Sequence, residues 1–339
     1  MLPILYNIKR LKRNIRYIST LKLMNFLRLY FSYSISKFGK ERLSECKPLF
    51  ISIETANYCN LHCPECPVGN NKYSMTEHKL FDLELFKSLI DELRPTLTHV
   101  ILYFQGEPFL NKKLSDFISY AHQAKIYTSN STNGQLFTKN NAKEIVTSGL
   151  DKIIISIDGS KQETYQKYRI GGNLNKTIEG IRQLVEYRKE LKSATPMIEI
   201  QFLVLKTNEH QMTEMKQLAK SLQVDKLTFK TAQLSEFENG NELMPKKSRF
   251  SRYRKGKDGK FRIKGNQPNS CWRMWSGAVI NASGEVLPCC FDKGSDFSFG
   301  NLNESTFSEC WKNEKAFGFR NNILLNRKQF EMCRNCTNH

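Results

Sequence analysis

The stretch Cys59-Asn60-Leu61-His62-Cys63-Pro64-Glu65-Cys66-Pro67 decides how the rest of this chain is interpreted. Its cysteines have the spacing C-x3-C-x2-C, and thiolates prefer soft metal centres such as iron–sulfur clusters, zinc or Cu(I). Tetrahedral zinc and an ordinary four-cysteine cluster each need a fourth protein ligand, and no further cysteine lies nearby. The loop therefore predicts a cluster with one iron left open for another molecule.

The segment around this loop alternates apolar strands with helices. Six strands are predicted, each followed by a helix except the last: Leu49–Thr55, His99–Phe104, Ile126–Ser131, Lys152–Ile157, Met197–Leu205 and Lys226–Ala232. Near-continuous apolar strands that alternate with helices predict an α/β fold with a parallel sheet buried on both faces.

Four polar or glycine-bearing motifs directly follow predicted strands. They are the cysteine loop, Gln105-Gly106-Glu107-Pro108, Thr132-Asn133-Gly134 and Asp158-Gly159. In parallel sheets and barrels the chemistry lies on the loops after the C-terminal ends of the strands. These motifs are therefore expected to share one rim of the fold.

The C-terminal residues form a second cysteine-bearing unit. Two apolar runs flank Asn281-Ala282-Ser283-Gly284 and predict a β-hairpin, and a helix is predicted from Ser305 to Leu325. A Cys-x2-Cys knuckle plus two distant cysteines makes a complete four-thiolate set for zinc or 4Fe–4S. The candidate ligands are Cys271, Cys289, Cys333 and Cys336, with Cys290 as the alternative to Cys289, whereas Cys46 and Cys310 are interpreted as buried or free cysteines.

Positive charge concentrates in two stretches of a chain whose formal net charge is +19. Residues 236–270 lack periodicity and are predicted to be a basic linker, either solvated or binding an acidic partner. In the N-terminal extension, residues 1–46, apolar residues from Ile4 to Ile18 recur at helical spacing among lysines and arginines, and a second apolar run spans Leu21 to Phe38. Three interpretations stay open: a helix at a membrane surface, packing on the protein's own core, and an organelle transit peptide.

Composition excludes several classes of protein. Ten cysteines in 339 residues are too few for a disulfide scaffold, and no signal-peptide pattern or transmembrane-length apolar run occurs. Clustered cysteines indicate metal in a reducing compartment. We therefore expect a cytoplasmic protein, with a peripheral location at the inner face of the membrane as the alternative.

Cys59-x3-Cys63-x2-Cys66 after the first strand of a six-fold β/α pattern resembles the radical S-adenosylmethionine (SAM) superfamily. The tail resembles a SPASM-type or shorter "twitch" auxiliary-cluster domain. The resemblance implies a partial (β/α)6 TIM-like barrel followed by a small C-terminal α+β domain. The implied domains are an N-terminal extension (1–46), a radical SAM core (47–235), a linker (236–270) and an auxiliary-cluster domain (271–339).

The resemblance also implies roles for individual residues. Cys59, Cys63 and Cys66 would hold a 4Fe–4S cluster that binds SAM, and the tail cysteines would hold one auxiliary 4Fe–4S cluster. Gln105, Gly106, Glu107 and Pro108 match the segment that meets the methionine amino group, with Gln in place of the first glycine. Residues near SAM or the substrate would be Asn133, Ser156 and Arg169, the last of which resembles the arginine that pairs with the SAM carboxylate. Asp158 and Lys230 are the candidates for a catalytic base.

The implied reaction begins with reductive cleavage of SAM to a 5′-deoxyadenosyl radical, with flavodoxin or ferredoxin as electron donor. An auxiliary cluster favours a two-electron oxidation of a small or sugar-like molecule. The alternative is a peptide-modifying maturase, although the short basic N-terminal segment does not resemble a peptide-recognition module. A non-catalytic metal- or nucleic-acid-binding protein is the competing class, and it lacks a base-stacking aromatic array.

Overall fold

The computed structural model describes residues 16–39, 46–73 and 77–337. Six parallel strands follow one another in the predicted order: β1 (Phe50–Ile53), β2 (His99–Ile101), β3 (Tyr127–Thr132), β4 (Lys152–Ser156), β5 (Met197–Val204) and β6 (Lys226–Thr231). They confirm the α/β partial barrel, which is open along the edge of β6.

Helices cover the outer side of this sheet. They are α2 (Leu83–Leu93), α3 (Leu114–Gln123), α4 (Lys139–Thr147), α5 (Gln162–Tyr165), α6 (Leu174–Glu190) and α7 (Met212–Ser221), whereas α1 (Thr20–Ser36) contacts residues that precede β1 and β3. Asp82 begins α2 as predicted, because its Oδ1 accepts from the Leu85 amide at 2.8 Å. Alternate strand residues such as Ile153, Ile155 and Ile200 are fully buried against the helices.

The opposite face of the strands carries polar groups into the barrel. Lys152 Nζ lies 2.8 Å from Glu199 Oε2, and His99 Nε2 lies 2.8 Å from Ser129 Oγ. Burial, together with the nearby Lys152, lowers the pKa of His99 to about 4. The barrel interior is thus a paired polar network at the ends where the strands begin.

Residues 236–270 contain regular structure that the linker prediction lacked. An antiparallel hairpin joins β7 (Tyr253–Lys255) to β8 (Phe261–Ile263). Tyr253 is buried, stacks on Phe237 and accepts a hydrogen bond from the Leu234 amide at 2.8 Å. Strands of three residues are too short to produce a recognisable alternation, which is why the sequence pattern missed them.

The tail continues the main sheet. It contains α8 (Arg273–Ser276), β9 (Gly277–Ile280), β10 (Val286–Leu287), α9 (Phe307–Lys312), α10 (Glu314–Asn326) and α11 (Glu331–Arg334). The predicted hairpin is confirmed as β9 and β10, and β9 pairs in parallel with β1. The sheet therefore crosses the predicted domain boundary at residue 271.

The predicted helix from Ser305 to Leu325 is two helices. The break falls at Asn313, whose Oδ1 accepts from the Ala316 amide at 2.9 Å and so begins α10. Asparagine is a strong N-cap residue, and this side-chain bond offers the backbone a new helix start. The prediction of one continuous helix was wrong at this point.

The N-terminal helix α1 packs on the barrel through its polar side, whereas most of its large apolar side chains are exposed. Most of the helix predicted between Ile4 and Ile18 lies outside the described residues. In the portion of the chain that the structure describes, every helix is too short or too polar to cross a membrane.

Candidate active site

The three cysteines of the opening loop converge at the C-terminal end of β1. The Leu61 amide lies 3.4 Å from Cys59 Sγ, and the Cys66 amide donates to the Cys63 carbonyl at 3.1 Å. Burial raises the pKa of the Cys59 thiol to about 11, and the nearby Cys66 and Cys63 add to that shift. Within residues 16–39, 46–73 and 77–337, no three His, Cys, Asp or Glu side chains are arranged around a single ion. A four-iron cluster places each thiolate on its own iron, and the loop supplies three soft donors for it.

Gly106 brings the loop after β2 into contact with the cysteine loop. A Cβ at this position would lie 2.0 Å from the Ala56 carbonyl oxygen and 2.7 Å from that of Tyr58. The next residue, Glu107, donates its amide to the Tyr58 carbonyl at 2.9 Å. Only glycine permits this close backbone approach, and Gly106 is the glycine that the sequence retains in the matched segment.

Glu107 is a buried carboxylate held by three donors. Its Oε1 accepts from Thr132 Oγ1 at 2.7 Å and from the Phe109 amide at 3.1 Å, and its Oε2 accepts from the Asn133 amide at 2.8 Å. Burial raises the pKa of this carboxyl even though these hydrogen bonds oppose the shift. The carboxylate is fixed in place, as a group that meets an ammonium must be.

Asn133 connects the loops after β1 and β3. Its Nδ2 lies 2.9 Å from Asn60 Oδ1 and 3.6 Å from Cys59 Sγ. The structure thus brings Asn133 together with the cysteine loop and Glu107, as expected for motifs that follow neighbouring strands and share one rim of the fold. Thr132 lies in the motif noted from the sequence but was not among the candidate residues, and its contact with Glu107 requires the fold to be known.

Arg169 and Asp158 form a buried ion pair beside the cysteines. Arg169 Nε donates to Asp158 Oδ2 at 2.6 Å, and Arg169 Nη1 lies 3.7 Å from Cys63 Sγ. Although burial alone would lower the pKa of Arg169, Asp158 and Cys63 raise it well above its ordinary value. Asp158 Oδ1 accepts from the Leu203 amide at 2.6 Å, so both carboxylate oxygens have partners. These contacts favour a positioning role for Asp158 over that of a catalytic base.

The remaining candidates lie at different distances from this centre. Ser156 is buried at the end of β4, and Lys230 is exposed on the edge strand β6. Lys230 shares a strand face with Lys226, whose Nζ lies 3.5 Å from Glu199 in the barrel interior, so Lys230 lies at the open side of the barrel. Pro108 begins a short 3-10 turn, Pro108–Leu110. Gln105 Nε2 donates to the Lys293 carbonyl at 2.9 Å and so connects the rim to the tail.

The four candidate ligands of the tail also come together. Burial raises the pKa of Cys333 to about 11, and the neighbouring Cys271 and Cys336 contribute, while Cys289 interacts with Cys271. Gln267 Nε2 donates to the Cys333 and Cys336 carbonyls at 3.0 and 2.9 Å and fixes the knuckle between them. Gln267 lies in the segment predicted to be a linker, and no sequence pattern indicates this role.

Cys290 has different surroundings. The hydrogen bond from Cys289 lowers the pKa of the Cys290 thiol, and Arg273 and Lys293 lower it further. Beyond its hydrogen bond with Cys289, Cys290 therefore interacts with two cations. This arrangement favours Cys289 as the fourth ligand.

A cavity of about 780 Å³ is lined by residues that are close in the chain to both sets of cysteines. Glu65 and Pro67, which flank Cys66, line one side, and Glu331 and Asn335 of the tail line another. Lys293 also lines the cavity. Burial lowers the pKa of Lys293, although Cys66 and Cys290 oppose this shift. The cavity is large enough for a small ligand, and segments next to both cysteine sets form its wall.

Comparison with known proteins agrees with both halves of the site. The radical SAM superfamily profile matches residues 53–216, and the SPASM iron–sulfur cluster-binding domain matches residues 271–337. The chain belongs to the radical SAM superfamily. It carries a C-terminal SPASM domain, and the cofactors of this family, a SAM-binding 4Fe–4S cluster, SAM and an auxiliary cluster, are those of this chain.

The proteins similar to this chain differ in the molecules on which they act. The chain is 24% identical to a tungsten-containing aldehyde ferredoxin oxidoreductase cofactor-modifying protein of Pyrococcus furiosus, over 85% of this chain and 87% of the relative. It is 25% identical to a PqqA peptide cyclase of Bradyrhizobium diazoefficiens, over 80% and 74% of the two chains. Its fold is similar to that of Streptococcus suis SuiB bound to SAM, with a TM-score of 0.62 at 16% identity, over 80% of this chain and 68% of the other. SuiB has also been solved with its precursor peptide SuiA.

Proposed function

We propose that this radical SAM enzyme carries out a two-electron dehydrogenation of a small, sugar-like molecule. The single observation that supports this most directly is the cavity lined both by neighbours of Cys66 in the chain and by neighbours of the Cys333–Cys336 knuckle. A substrate there would lie between the site that generates the radical and a second redox centre.

When bound, the cluster held by Cys59, Cys63 and Cys66 would supply SAM-based hydrogen abstraction, and the auxiliary cluster would accept an electron from the substrate. In net terms, SAM and an alcohol become methionine, 5′-deoxyadenosine and a carbonyl compound. One substrate hydrogen leaves as an atom, and the hydroxyl hydrogen leaves as a proton. The first electron comes from a donor such as flavodoxin or ferredoxin.

The chain's own residues bind and orient SAM. Cys59, Cys63 and Cys66 hold the first cluster, and Glu107 meets the methionine ammonium with its fixed carboxylate. Arg169 pairs with the SAM carboxylate while Asp158 holds the guanidinium in place. Lys230, at the open side of the barrel, is the candidate proton acceptor. Cys271, Cys289, Cys333 and Cys336 hold the auxiliary cluster.

The decisive test of SAM chemistry is anaerobic reconstitution with iron and sulfide, followed by dithionite and SAM. We expect 5′-deoxyadenosine well above the amount formed by a Cys59→Ala/Cys63→Ala/Cys66→Ala variant. Equal amounts from the two proteins would contradict the radical chemistry.

Substrate class is tested by fractionating a cell extract through a membrane that retains peptides. We expect the low-mass fraction to stimulate 5′-deoxyadenosine formation and to contain a product that has lost two hydrogens. Cys289→Ala should still cleave SAM but should lose this product, because it removes a ligand of the proposed electron acceptor.

Modification of a peptide is the second candidate function. The similarity to a PqqA peptide cyclase and the structure of SuiB with SuiA support it. Stimulation confined to the retained fraction and abolished by a protease would favour this function over the first. A peripheral contact with the inner face of a membrane, through the N-terminal segment, completes the proposal.

A further inference from the structure

In helix α1, polar residues face the protein core and most large apolar residues face outward. Its buried positions recur at spacings of three and four residues, as in any helix packed on a domain. Four of the five residues there are polar: Lys22, Asn25, Leu29, Ser32 and Ser36. The side that faces the barrel is therefore mainly polar, and Phe26, Tyr30 and Tyr33 beside it contact Trp272.

Specific hydrogen bonds hold the helix in this orientation. Asn25 Nδ2 donates to the Lys47 carbonyl at 2.8 Å, and Asn25 Oδ1 accepts from the Lys47 amide at 3.1 Å. Lys22 Nζ donates to the Lys125 carbonyl at 2.8 Å, and Tyr17, just before the helix, hydrogen-bonds to Asp151. Rotating α1 to bury its apolar side would leave these groups unpaired, which is costly. The outward position of the apolar side is thus built into the fold.

The outward side is a row of large apolar residues. Their exposed fractions range from 51% to 94%: Leu21, Leu23, Leu27, Tyr30, Phe31 and Phe38. Single exposed apolar residues are ordinary, but a contiguous apolar face of this kind marks an interaction surface. We call this row the outer face of α1.

The charge of the N-terminal residues indicates which kind of surface the outer face of α1 contacts. The first 40 residues of the chain contain nine lysines and arginines and no aspartate or glutamate. Arg28 and Lys37, within and at the end of α1, are exposed next to the apolar side chains. An apolar face flanked only by positive charge fits the acyl–headgroup boundary of an anionic membrane. We propose that the outer face of α1 docks on an anionic lipid surface.

The position of α1 also sets the orientation of the enzyme on that surface. Its partners Lys47, Lys125 and Asp151 directly precede β1, β3 and β4, at the ends where the strands begin. The candidate active site lies on loops after the opposite ends of the strands. The docked enzyme therefore presents its cavity to the aqueous side, and its substrate reaches it from water rather than from the bilayer beneath it. This orientation rests on the proposed active site, whereas the lipid contact does not.

The test is co-sedimentation of the reconstituted full chain with vesicles of phosphatidylcholine, alone or mixed with phosphatidylglycerol. We expect binding that depends on phosphatidylglycerol and that weakens by at least about tenfold in Leu23→Gln/Leu27→Gln/Phe31→Gln, which alters only the outer face. Leu325→Gln is the matched control, because Leu325 is 75% exposed on α10 and should not contribute. Arg28→Gln/Lys37→Gln should reduce the preference for phosphatidylglycerol without affecting the fold.

Three results would overturn the proposal. Binding that is unchanged in the triple variant would remove the outer face from the contact. Absence of vesicle binding together with a concentration-dependent dimer that the triple variant abolishes would assign the face to a second copy of the chain. Vesicle binding that blocks dithionite-driven SAM cleavage would contradict the orientation, since we expect bound and free enzyme to form 5′-deoxyadenosine at similar rates.

Discussion

Arg169 Nε lies 2.6 Å from Asp158 Oδ2, while Nη1 of the same guanidinium lies 3.7 Å from Cys63 Sγ. Asp158 is fully buried and belongs to the loop after β4, whereas Cys63 belongs to the loop after β1. One arginine therefore connects a buried carboxylate to the cysteine loop across the rim of the barrel.

Asp158→Asn should destabilise the protein and weaken SAM binding. Breaking a buried ion pair leaves the guanidinium without its counter-charge, at a cost of about 3 kcal/mol. An Arg169 that is no longer held should bind SAM about tenfold more weakly, and this is measurable by equilibrium dialysis on the reconstituted enzyme. Arg182→Gln, which removes an exposed pair with Glu179, should change neither quantity. Unchanged SAM affinity in Asp158→Asn would contradict the positioning role.

Gly106→Ala should abolish most SAM cleavage, because its Cβ would lie 2.0 Å from the Ala56 carbonyl oxygen. The two loops would have to separate, and a displacement of about 1 Å at a reacting centre can cost roughly 100-fold in rate. Formation of 5′-deoxyadenosine measures this effect. Gly318→Ala is the control, since a Cβ there meets nothing within 4 Å and alanine stabilises a helix interior by roughly 0.5–1 kcal/mol. Equal loss in both variants would mean that close approach at Gly106 is not the cause.

The elements that the sequence predicts correctly are those with a strong local pattern. Asp82 and the strand that contains Ile153 and Ile155 have clear capping and apolar signals, and both were found. Tyr253 lies in a strand of three residues, too short for alternation to show. The contacts of Gln267 with the Cys333 and Cys336 carbonyls, and of Thr132 with Glu107, join residues far apart in the chain. Such contacts are set by tertiary packing, which periodicity does not encode.

The choice between Cys289 and Cys290 is testable by counting iron. Cys289 interacts with Cys271, whereas Cys290 lies next to Arg273 and Lys293. Wild-type protein should bind about eight irons per chain, and Cys289→Ala should bind about four. Cys290→Ala should retain about eight, because it removes no ligand. If Cys290→Ala binds about four irons and Cys289→Ala about eight, Cys290 is the ligand. About twelve irons in the wild type would indicate a second auxiliary cluster.

Glu54 connects the tail to the SAM-binding rim and should make stability depend on pH. Its Oε2 accepts from the Ala282 amide at 3.1 Å, and the Ala282, Gln105 and Gly106 amides favour its charged form. Burial outweighs these bonds and raises the pKa of Glu54 to about 7 from its ordinary value of 4.5. The unfolded chain loses this proton near pH 4.5 and the folded chain near pH 7. The contribution of Glu54 to the free energy of unfolding is therefore fully present below pH 4.5 and is lost as pH rises through 7.

Glu54→Gln should remove this decline. The variant should gain stability relative to wild type between pH 5 and pH 8, by on the order of 2 kcal/mol, because the buried group no longer has to ionise. Thermal unfolding of the reconstituted protein at the two pH values measures the gain as several degrees in Tm. Glu84→Gln, at an exposed carboxylate on α2, controls for the loss of one negative charge. A Tm difference from wild type that is the same at pH 5 and pH 8 would mean that Glu54 ionises at the same pH in the folded and unfolded chains.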